Sequence, residues 1–181
     1  MLITCWSAKG GSGCSVVAAA LALTWARHRP PVLLVDWPGD LITLLGLAEP
    51  EPRAGGLTEW ASAGPDVPAD GIARLEVDVV PGLTLLPRGG DDDPPVRRVQ
   101  VLAGLLAEGG RPVIVDAGLL RGATPVLPLV TAADRSLLVT RSCFLALRRM
   151  GTVPCRPGGV VLIEEPGRAL DHRDVEDVAG A

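Results

Sequence analysis

The sequence predicts an α/β fold built on a doubly wound, mostly parallel sheet. Short apolar runs of strand length alternate with stretches of helical length along the 181 residues, which is the pattern of repeated β-α-β units. Alanine, valine and leucine make up much of the apolar content, and this suits buried parallel strands covered by helices on both faces. A glycine-rich stretch at residues 7–15 joins the first apolar run to the first helical stretch.

The order of these runs predicts the individual elements. Strands are predicted at residues 2–6, 32–36, 75–80, 83–86, 112–116, 136–140 and 159–163. Helices are predicted at residues 15–28, 41–47, 96–106, 125–130, 144–150 and 171–178. In the first helix, Val17, Leu21 and Trp25 share a stripe that is expected to pack on the sheet. Residues 48–72, rich in Pro, Gly, Ala and Asp, are interpreted as a surface excursion with one helical turn at 57–61.

Composition narrows the class of protein. The length suits a single domain over residues 1–181 with a sizeable core. The net charge of −4 argues against a dedicated nucleic-acid binder, and no apolar run approaches the roughly 18 residues that a membrane span needs. The N-terminus lacks the basic flank of a signal peptide, and the four cysteines lack metal-ligand spacing. These features predict a cytoplasmic protein with reduced thiols.

Residues 7–15 predict a phosphate-binding loop. They read Ser-Ala-Lys-Gly-Gly-Ser-Gly-Cys-Ser and lie between a predicted strand and a predicted helix. In that context glycines let successive backbone N–H groups point into one concavity, and the helix N-terminus adds its positive end. The full template is G-x-x-x-x-G-K-[ST]. Gly13 and Ser15 fit it, whereas Ala8 stands in place of the first glycine and Cys14 in place of the lysine.

The run Lys-Gly-Gly-x-Gly-x-Ser that begins at Lys9 resembles the deviant Walker A loop of the ParA/MinD superfamily (the CobQ/CobB/MinD/ParA nucleotide-binding domain), including its CpaE/TadZ-like branch. Lys9 matches the signature lysine of that family and is the only lysine among 17 basic residues. The resemblance implies a P-loop NTPase-like, Rossmann-like domain that binds ATP or ADP with Mg²⁺. It also implies a dimer in which this lysine reaches the partner's phosphates. The residues implied to bind the nucleotide are Lys9, Gly10, Gly11, Ser12, Gly13, Cys14, Ser15 and Val16.

Two predicted strands end in aspartate, at Asp36 and Asp116. The C-terminal ends of parallel strands share an edge with the phosphate loop, so both carboxylates are expected to face the nucleotide. A carboxylate there orients Mg²⁺ while a loop hydroxyl, here that of Ser15, binds the ion directly. The predicted metal site is therefore Ser15, Asp36 and Asp116; the alternative for either aspartate is a strand-end cap or a salt bridge. By resemblance, residues 113–116 form the Walker B strand and residues 32–36 lead into the switch region.

The chain departs from the family pattern at several positions that would bind the nucleotide or act in its hydrolysis. Cys14 replaces the lysine that reaches the β- and γ-phosphates; a thiol at a helix N-terminus is expected to have a lowered pKa and, as thiolate, to repel phosphate, with a redox role as the alternative. Pro38 stands where the family positions the attacking water with a second aspartate, and Asp40 could replace it only through a re-routed loop. Glu164 and Glu165 stand where the family often places an asparagine for adenine. The chain also ends before a last expected strand and helix.

Three functions follow from these observations and remain open. The first is a degenerate ParA/MinD-like ATP-binding protein that acts as a spatial organiser or regulatory partner, with weak or absent ATPase activity because a charge-assisted contact is missing. The second is an active Mg²⁺-dependent ATPase in which Lys9, Asp36 and Asp40 are catalytic. The third is a scaffold that has kept the fold and lost the ligand, so that its loop is a structural relic.

The expected partner is a second copy of the chain or another protein. A membrane anchor is not predicted, because the run 171–177 is acidic where an anchoring helix would be basic. Arg141, Arg148 and Arg149 could contact DNA without sequence preference, but a solvated helix face explains these arginines as well. DNA binding therefore stays open without being indicated.

Overall fold

One mixed sheet organises the protein. The computed structural model describes residues 1–48, 55–64, 67, 69–168 and 170–180. The strands of the described part are β1 (Leu2–Ser7), β2 (Val32–Asp36), β3 (Val77–Val80), β4 (Leu83–Leu86), β5 (Val113–Leu119), β6 (Arg135–Arg141) and β7 (Gly159–Ile163). They lie in the spatial order β3-β4-β2-β5-β1-β6-β7. Every neighbouring pair is parallel except β3 with β4, which is antiparallel.

Helices cover both faces of this sheet. They are α1 (Cys14–Ala26), α2 (Leu41–Leu44), α3 (Leu57–Ser62), α4 (Val96–Glu108), α5 (Leu127–Thr131), α6 (Phe144–Met150) and α7 (His172–Ala179), with a 3-10 helix at Ala69–Leu75. Buried side chains of α1 and α2 join one apolar cluster on one face, and those of α3 to α7 join a second cluster on the other. The predicted doubly wound α/β fold is therefore confirmed.

The helix α1 lies on the sheet through small side chains. Its buried residues are Cys14, Ala18, Ala19, Ala22 and Ala26. The prediction that Val17, Leu21 and Trp25 form the sheet-facing stripe is wrong, because these residues are half-buried and pack at the margin of the cluster. The alanines leave room for the helix backbone to approach the sheet closely, whereas the larger side chains need space that only the margin offers.

The described part of the predicted excursion at 48–72 contains α3 and most of the 3-10 helix. The helical turn predicted at 57–61 is confirmed as α3. Residues 49–54, 65–66 and 68, which also belong to the predicted excursion, lie outside the described residues. Among the described residues, no helix has both the length and the apolar character needed to cross a membrane.

The central strands place two carboxylates side by side. All residues of β1 and β2 are buried, and so are residues 113–118 of β5. Asp36 at the end of β2 is the register partner of Asp116 on β5, and Cys5 of β1 is the partner of Asp116 on its other side. β5 continues to Leu119, beyond its predicted end at 116. Both aspartates thus lie at the edge of the sheet where β1 passes into the glycine-rich loop.

Candidate functional site

The glycine-rich loop between β1 and α1 has the geometry of an anion cradle. Gly11 and Gly13 adopt left-handed backbone conformations, with φ of 75° and 93°, which L side chains rarely adopt. Gly13 caps α1 without any side-chain hydrogen bond, and its carbonyl accepts the N–H of Val17 at 3.0 Å. The Ser12 hydroxyl donates to the Lys9 carbonyl at 2.7 Å and closes the loop. The first-turn N–H groups of α1 are therefore left for an anion.

A cleft of about 630 Å³ opens beside this loop. It is lined by Ser7, residues 10–16, Pro38, Asp40, Thr43, Leu44, Gly118 and Leu119. Seven of the eight residues predicted to bind a nucleotide thus share one wall. The larger cavity of about 780 Å³ lies between α4 and α5, and its lining carries no charged side chain. The phosphate chemistry therefore belongs to the smaller cleft, because that cleft has the glycine-rich loop, whereas the lining of the larger cavity carries no charged side chain.

Lys9 is the predicted nucleotide residue that does not line the cleft. Its ammonium donates to the carbonyl of the adjacent Gly10 at 3.2 Å, at an exposed position of the loop. The side chain is thus held by a single weak contact among the described residues. An ammonium on a flexible four-carbon stem can be withdrawn from such a contact at little cost. The geometry leaves this charge available to a ligand or to a second chain.

The Cys14 side chain contacts Asp116 and brings no positive charge to the cleft. Its thiol donates to Asp116 Oδ1 at 3.1 Å, and the Gly118 N–H donates to the same oxygen at 3.0 Å. Burial, followed by the Asp116 carboxylate, raises the pKa of this thiol far above its ordinary value. The expectation of a lowered thiol pKa at the helix N-terminus is therefore wrong. Burial beside a carboxylate outweighs the helix end, so Cys14 is a neutral donor.

Asp116 is fully buried and only half satisfied. Its Oδ2 atom has no hydrogen-bond partner among the described residues, although the nearby Ser15 hydroxyl lowers the pKa of the carboxyl. Burial outweighs this effect and the bonds from Cys14 and Gly118, so the net pKa of Asp116 is raised. An unpartnered buried carboxylate oxygen is costly. It marks the place where a cation or a donor would be stabilised.

Asp36 organises the segment that leads from β2 into α2. Its Oδ1 accepts the Gly39 N–H and its Oδ2 accepts the Leu41 N–H, both at 2.8 Å. Burial raises the pKa of Asp36 to about 6, partly countered by these two N–H donors. The strand-end cap, one of the two alternatives for this aspartate, therefore describes its contacts. Its part in binding metal or in catalysis stays a prediction.

Asp40 lies on the part of the cleft wall that the segment between β2 and α2 forms. It is exposed, precedes α2, and its side chain makes no capping hydrogen bond. Its charge contributes to the raised pKa values of both Asp36 and Asp116. Pro38 shares this wall. The structure thus brings Asp40 to the cleft, while Asp36 and Asp116 lie buried behind its surface.

The donor set suits a hard cation that keeps most of its water. Mg²⁺ prefers oxygen ligands and is usually bound by one or two carboxylates together with water and phosphate oxygens. The Ser15 hydroxyl and the open Oδ2 of Asp116 supply oxygens of this kind. No group of three or more His, Cys, Asp or Glu that could hold a metal occurs among the described residues. The residues present therefore fit a phosphate-bound Mg²⁺ better than a metal held by protein alone.

Arg88 is a residue of this region that sequence reasoning missed. It follows β4, its guanidinium donates to the Trp37 carbonyl at 2.5 Å, and it lies over the Trp37 ring at 5.9 Å from the ring centre. It also donates to Asp93 Oδ1 at 3.1 Å. Arg88 thus fixes the segment that carries Asp40. The available signal was its position after a strand that ends at the same edge of the sheet.

Exposed apolar side chains lie at the edge of the sheet where the cleft opens, and three of them, Val16, Leu44 and Leu119, line the cleft itself. They are Val16, Leu44, Leu119, Phe144 and Leu145. Phe144, the only phenylalanine of the chain, is 77% exposed. These five residues, which we call the apolar rim, make up half of the large hydrophobic residues that are exposed in the described part of the chain. A concentration of this kind marks a surface that another molecule covers.

Comparison with known proteins places this geometry in a fold group. No protein-family model matches the sequence, and no curated protein matches it either. Solved structures do match. A ParA family ATPase from Chlorobium tepidum is 22% identical with a TM-score of 0.78, over 99% of this chain and 79% of that one.

Two cell-division proteins are also similar. MinD in its complex with MinC from Aquifex aeolicus is 19% identical with a TM-score of 0.76, over 100% of this chain and 78% of the other. MinD with Mg-ADP from Pyrococcus horikoshii is 18% identical with a TM-score of 0.69, over 98% and 76% of the two chains. The predicted resemblance is confirmed at the level of the fold: the protein adopts the fold of the ParA and MinD ATPases.

Proposed function

We propose that the protein is a cytoplasmic nucleotide-binding organiser of the ParA/MinD type, with weak or absent ATPase activity. It binds a purine nucleoside triphosphate, with ATP as the nucleotide that the resemblance implies, together with Mg²⁺. One observation carries the proposal. The uncapped N-terminus of α1 follows the left-handed Gly13, and Asp116 lies behind it with one carboxylate oxygen unpartnered. This pairing suits a phosphate chain on the loop and a cation behind it.

In this proposal, different residues bind the phosphates and the metal. Backbone N–H groups of residues 10–16 hold the phosphates, since these residues form one wall of the cleft. The Ser15 hydroxyl and Asp116 Oδ2 supply the oxygens for the metal. Asp36 already accepts a backbone N–H at each oxygen, so it contributes negative charge and loop geometry rather than a direct bond.

Weak hydrolysis follows from the charge that Cys14 does not supply. Phosphoryl transfer is catalysed mostly by positioning and by positive charge placed against the transferring group. The Cys14 thiol is neutral and is engaged with Asp116. The loss of one charge-assisted contact of this kind lowers the rate by on the order of a hundredfold or more. Binding is affected less, because the backbone N–H groups and the metal remain.

A second copy of the chain completes the site in this proposal. The apolar rim lies at the edge of the sheet that carries the cleft, and Lys9 stands outside the cleft with a single weak contact. A partner that covers the rim buries its apolar surface. It also receives Lys9 next to its own phosphates, and this restores part of the charge that Cys14 lacks. Nucleotide-dependent dimerisation is then the signal that the protein passes on.

The proposal is tested by titrating the protein with a fluorescent ATP analogue, with and without Mg²⁺. Saturable binding that requires Mg²⁺ is expected, and Lys9→Ala should weaken it about tenfold, as the loss of a hydrogen bond to a charged group would. Arg27→Ala is the matched control, because Arg27 is an exposed cation at the far end of α1. This control should bind like the unmodified protein.

Phosphate release in the same samples separates the alternatives. Asp40 lines the cleft, and this favours the active ATPase as the second candidate. Turnover of many ATP molecules per protein that disappears in Lys9→Ala and in Asp40→Asn would establish that alternative. The absence of binding at millimolar nucleotide would overturn both nucleotide functions and leave a scaffold with a relic loop.

A further inference from the structure

A groove between α4 and α5 lies outside the nucleotide site. It is the cavity of about 780 Å³ whose lining carries no charged side chain. The helix α4 leads into β5, and α5 follows β5. Because β4, β5 and β6 all run in the same direction, both helices begin at the edge of the sheet where the cleft opens. The groove therefore runs between two helices of similar direction.

Small and apolar side chains form the walls of this groove. On α4 the lining residues Val96, Ala103 and Gly104 lie on one stripe of the helix, and α5 contributes Leu127 and Pro128. A Cβ placed on Gly104 would meet nothing within 4 Å, so free space lies directly over the α4 backbone. A second helix can therefore approach α4 closely at this point.

The groove is open to solvent along its length. Among its lining residues, Gln100, Gly104, Ala123 and Thr131 are exposed. A small molecule bound here would keep much of its surface in water, whereas a ligand pocket typically buries most of a small ligand. The surface of another polypeptide chain suits an open apolar groove better, because it covers the walls as well as the floor.

Two unpaired arginines flank one end of the groove. Arg97 follows the lining residue Val96, and Arg121 lies two residues before the lining residue Ala123. Both arginines are exposed, and neither makes a hydrogen bond or an ion pair with a described residue. The exposed carboxylate of Glu108 ends α4 at the opposite end. The charges therefore favour a partner with carboxylates next to the two arginines.

The acidic run at residues 91–93 lies on the other side of α4. Its backbone accepts the Thr58 hydroxyl of α3, and Asp93 pairs with Arg88. Arg98 marks the same side of α4, because its guanidinium lies over the tryptophan ring of α3. The groove faces α5 instead, so the unpaired arginines set the charge at its end.

We propose that this groove binds an amphipathic helix of another protein, with apolar residues against α4 and α5 and acidic residues next to Arg97 and Arg121. The inference goes beyond the proposed function and does not depend on nucleotide binding. With 13 residues, α4 is about 20 Å long, so a partner helix of about four turns covers it. Residues 118–125 line the cleft at their beginning and the groove at their end. A helix bound in the groove therefore contacts the segment that leads away from the nucleotide site.

Fluorescence anisotropy with labelled synthetic peptides tests the proposal in the absence of nucleotide. The probe is an alanine-based peptide of about 15 residues with leucine at positions i, i+3, i+4 and i+7. It carries a run of glutamates at the N-terminus in one version and at the C-terminus in another, which covers both directions of binding. At least one version should bind saturably below millimolar concentration. The same peptide with lysines in place of the glutamates should bind about tenfold more weakly.

Gly104→Leu locates the binding in the groove. The leucine fills the free space over α4, so the acidic peptide should bind at least about tenfold more weakly. Leucine also favours a helix more than glycine does, so the thermal midpoint of this variant should not fall. Ala20→Leu is the matched control, because Ala20 is an exposed position of α1 on the other face of the sheet. This control should bind the peptide like the unmodified protein.

Charge reversal tests the identity of the partner. In the double variant Arg97→Glu with Arg121→Glu, the acidic peptide should bind about tenfold more weakly and the lysine peptide more tightly. The matched control is Arg27→Glu with Arg29→Glu, which reverses two exposed arginines after α1. This control should leave both affinities unchanged.

Three outcomes would overturn the proposal. The first is the absence of binding of either acidic version below millimolar concentration. The second is binding that Gly104→Leu leaves unchanged, which would place the peptide on another surface. The third is equal binding of the acidic and lysine peptides, which would exclude the acidic partner. Because no nucleotide is present, these outcomes do not depend on whether the proposed function stands or fails.

Discussion

The thiol of Cys14 is a hydrogen-bond donor to a buried carboxylate. It is neutral because burial and Asp116 both raise its pKa, and its contact with Asp116 Oδ1 measures 3.1 Å. A lysine at the same position would bring a positive charge to this part of the cleft. The thiol supplies the donor without the charge. The carboxylate therefore stays undercompensated in the protein alone, and this favours a cation at Oδ2.

The raised pKa of Asp36 predicts how stability depends on pH. Because this pKa is about 6, the folded state keeps a proton that the unfolded chain releases near pH 4. Stability should therefore fall as pH rises from 4 to 7. For a shift of this size the loss is roughly 2 kcal/mol relative to Asp36→Asn, which cannot titrate at this position.

Urea unfolding at pH 4 and pH 7 measures this difference. Carboxylates that lie away from Asp36 titrate in the same way in both proteins, so their contributions cancel in the comparison. The free energy of unfolding of the unmodified protein should fall more steeply between the two pH values than that of Asp36→Asn. Equal slopes would show that the pKa of Asp36 is ordinary, so that burial would not dominate at this site.

At the scale of elements, the segment between β2 and α2 is held from two sides. Asp36 binds its backbone from within, through the N–H groups of Gly39 and Leu41. Arg88 binds it from outside, through the carbonyl and ring of Trp37. Arg88 also approaches Gly39 closely, since a Cβ there would lie 3.3 Å from Arg88 Cδ. The position of Asp40 thus depends on a residue of the loop that follows β4.

Removal of the Arg88 guanidinium should selectively loosen the segment between β2 and α2. Arg88→Met keeps an apolar stem but loses the bonds to Trp37 and Asp93, and it should cost about 1–2 kcal/mol of stability. Amide hydrogen exchange in residues 37–41 should accelerate about tenfold, because local opening becomes easier.

Arg97→Met, an exposed arginine of α4 with no hydrogen bond to a described residue, is the control and should leave exchange unchanged. Equal exchange in Arg88→Met and in the control would show that Asp36 alone holds the segment.

Local sequence patterns predicted most elements, and contacts between distant residues accounted for the errors. The seven strands were predicted because each is a short apolar run flanked by turn residues, and the phosphate loop because glycine spacing is a local signal. Cys14 was misjudged because its partner lies 102 residues away. Arg88 was missed because arginine is common in loops. The stripe of Val17, Leu21 and Trp25 was wrongly placed against the sheet, because an apolar pattern does not show how closely the helix approaches the sheet.

For the whole molecule, the apolar rim predicts the mode of association. Phe144 is 77% exposed, so it contributes little to the stability of the single chain. Phe144→Ser should weaken nucleotide-dependent dimerisation at least tenfold, because burial of a phenylalanine is worth about 1.5–3 kcal/mol. Sedimentation equilibrium with and without nucleotide measures this change.

Val101→Ser provides the comparison for that experiment. Val101 is 48% exposed on α4 and lies outside the apolar rim, so its loss should leave the association constant unchanged. The thermal midpoint of both variants should stay near that of the unmodified monomer. A dimer that persists in Phe144→Ser would place the interface on another surface.

Because Lys9 is the single lysine of the chain, cleavage after lysine can report whether the loop is covered. A protease that cuts only after lysine has one site in the 181 residues, at Lys9. Cleavage there would release a fragment that contains β1, the strand held between β5 and β6. Digestion should therefore convert the folded protein into an unfolded one in a single step. Any molecule that covers the loop, whether nucleotide or partner, would be detected by the protection that it gives against this cut.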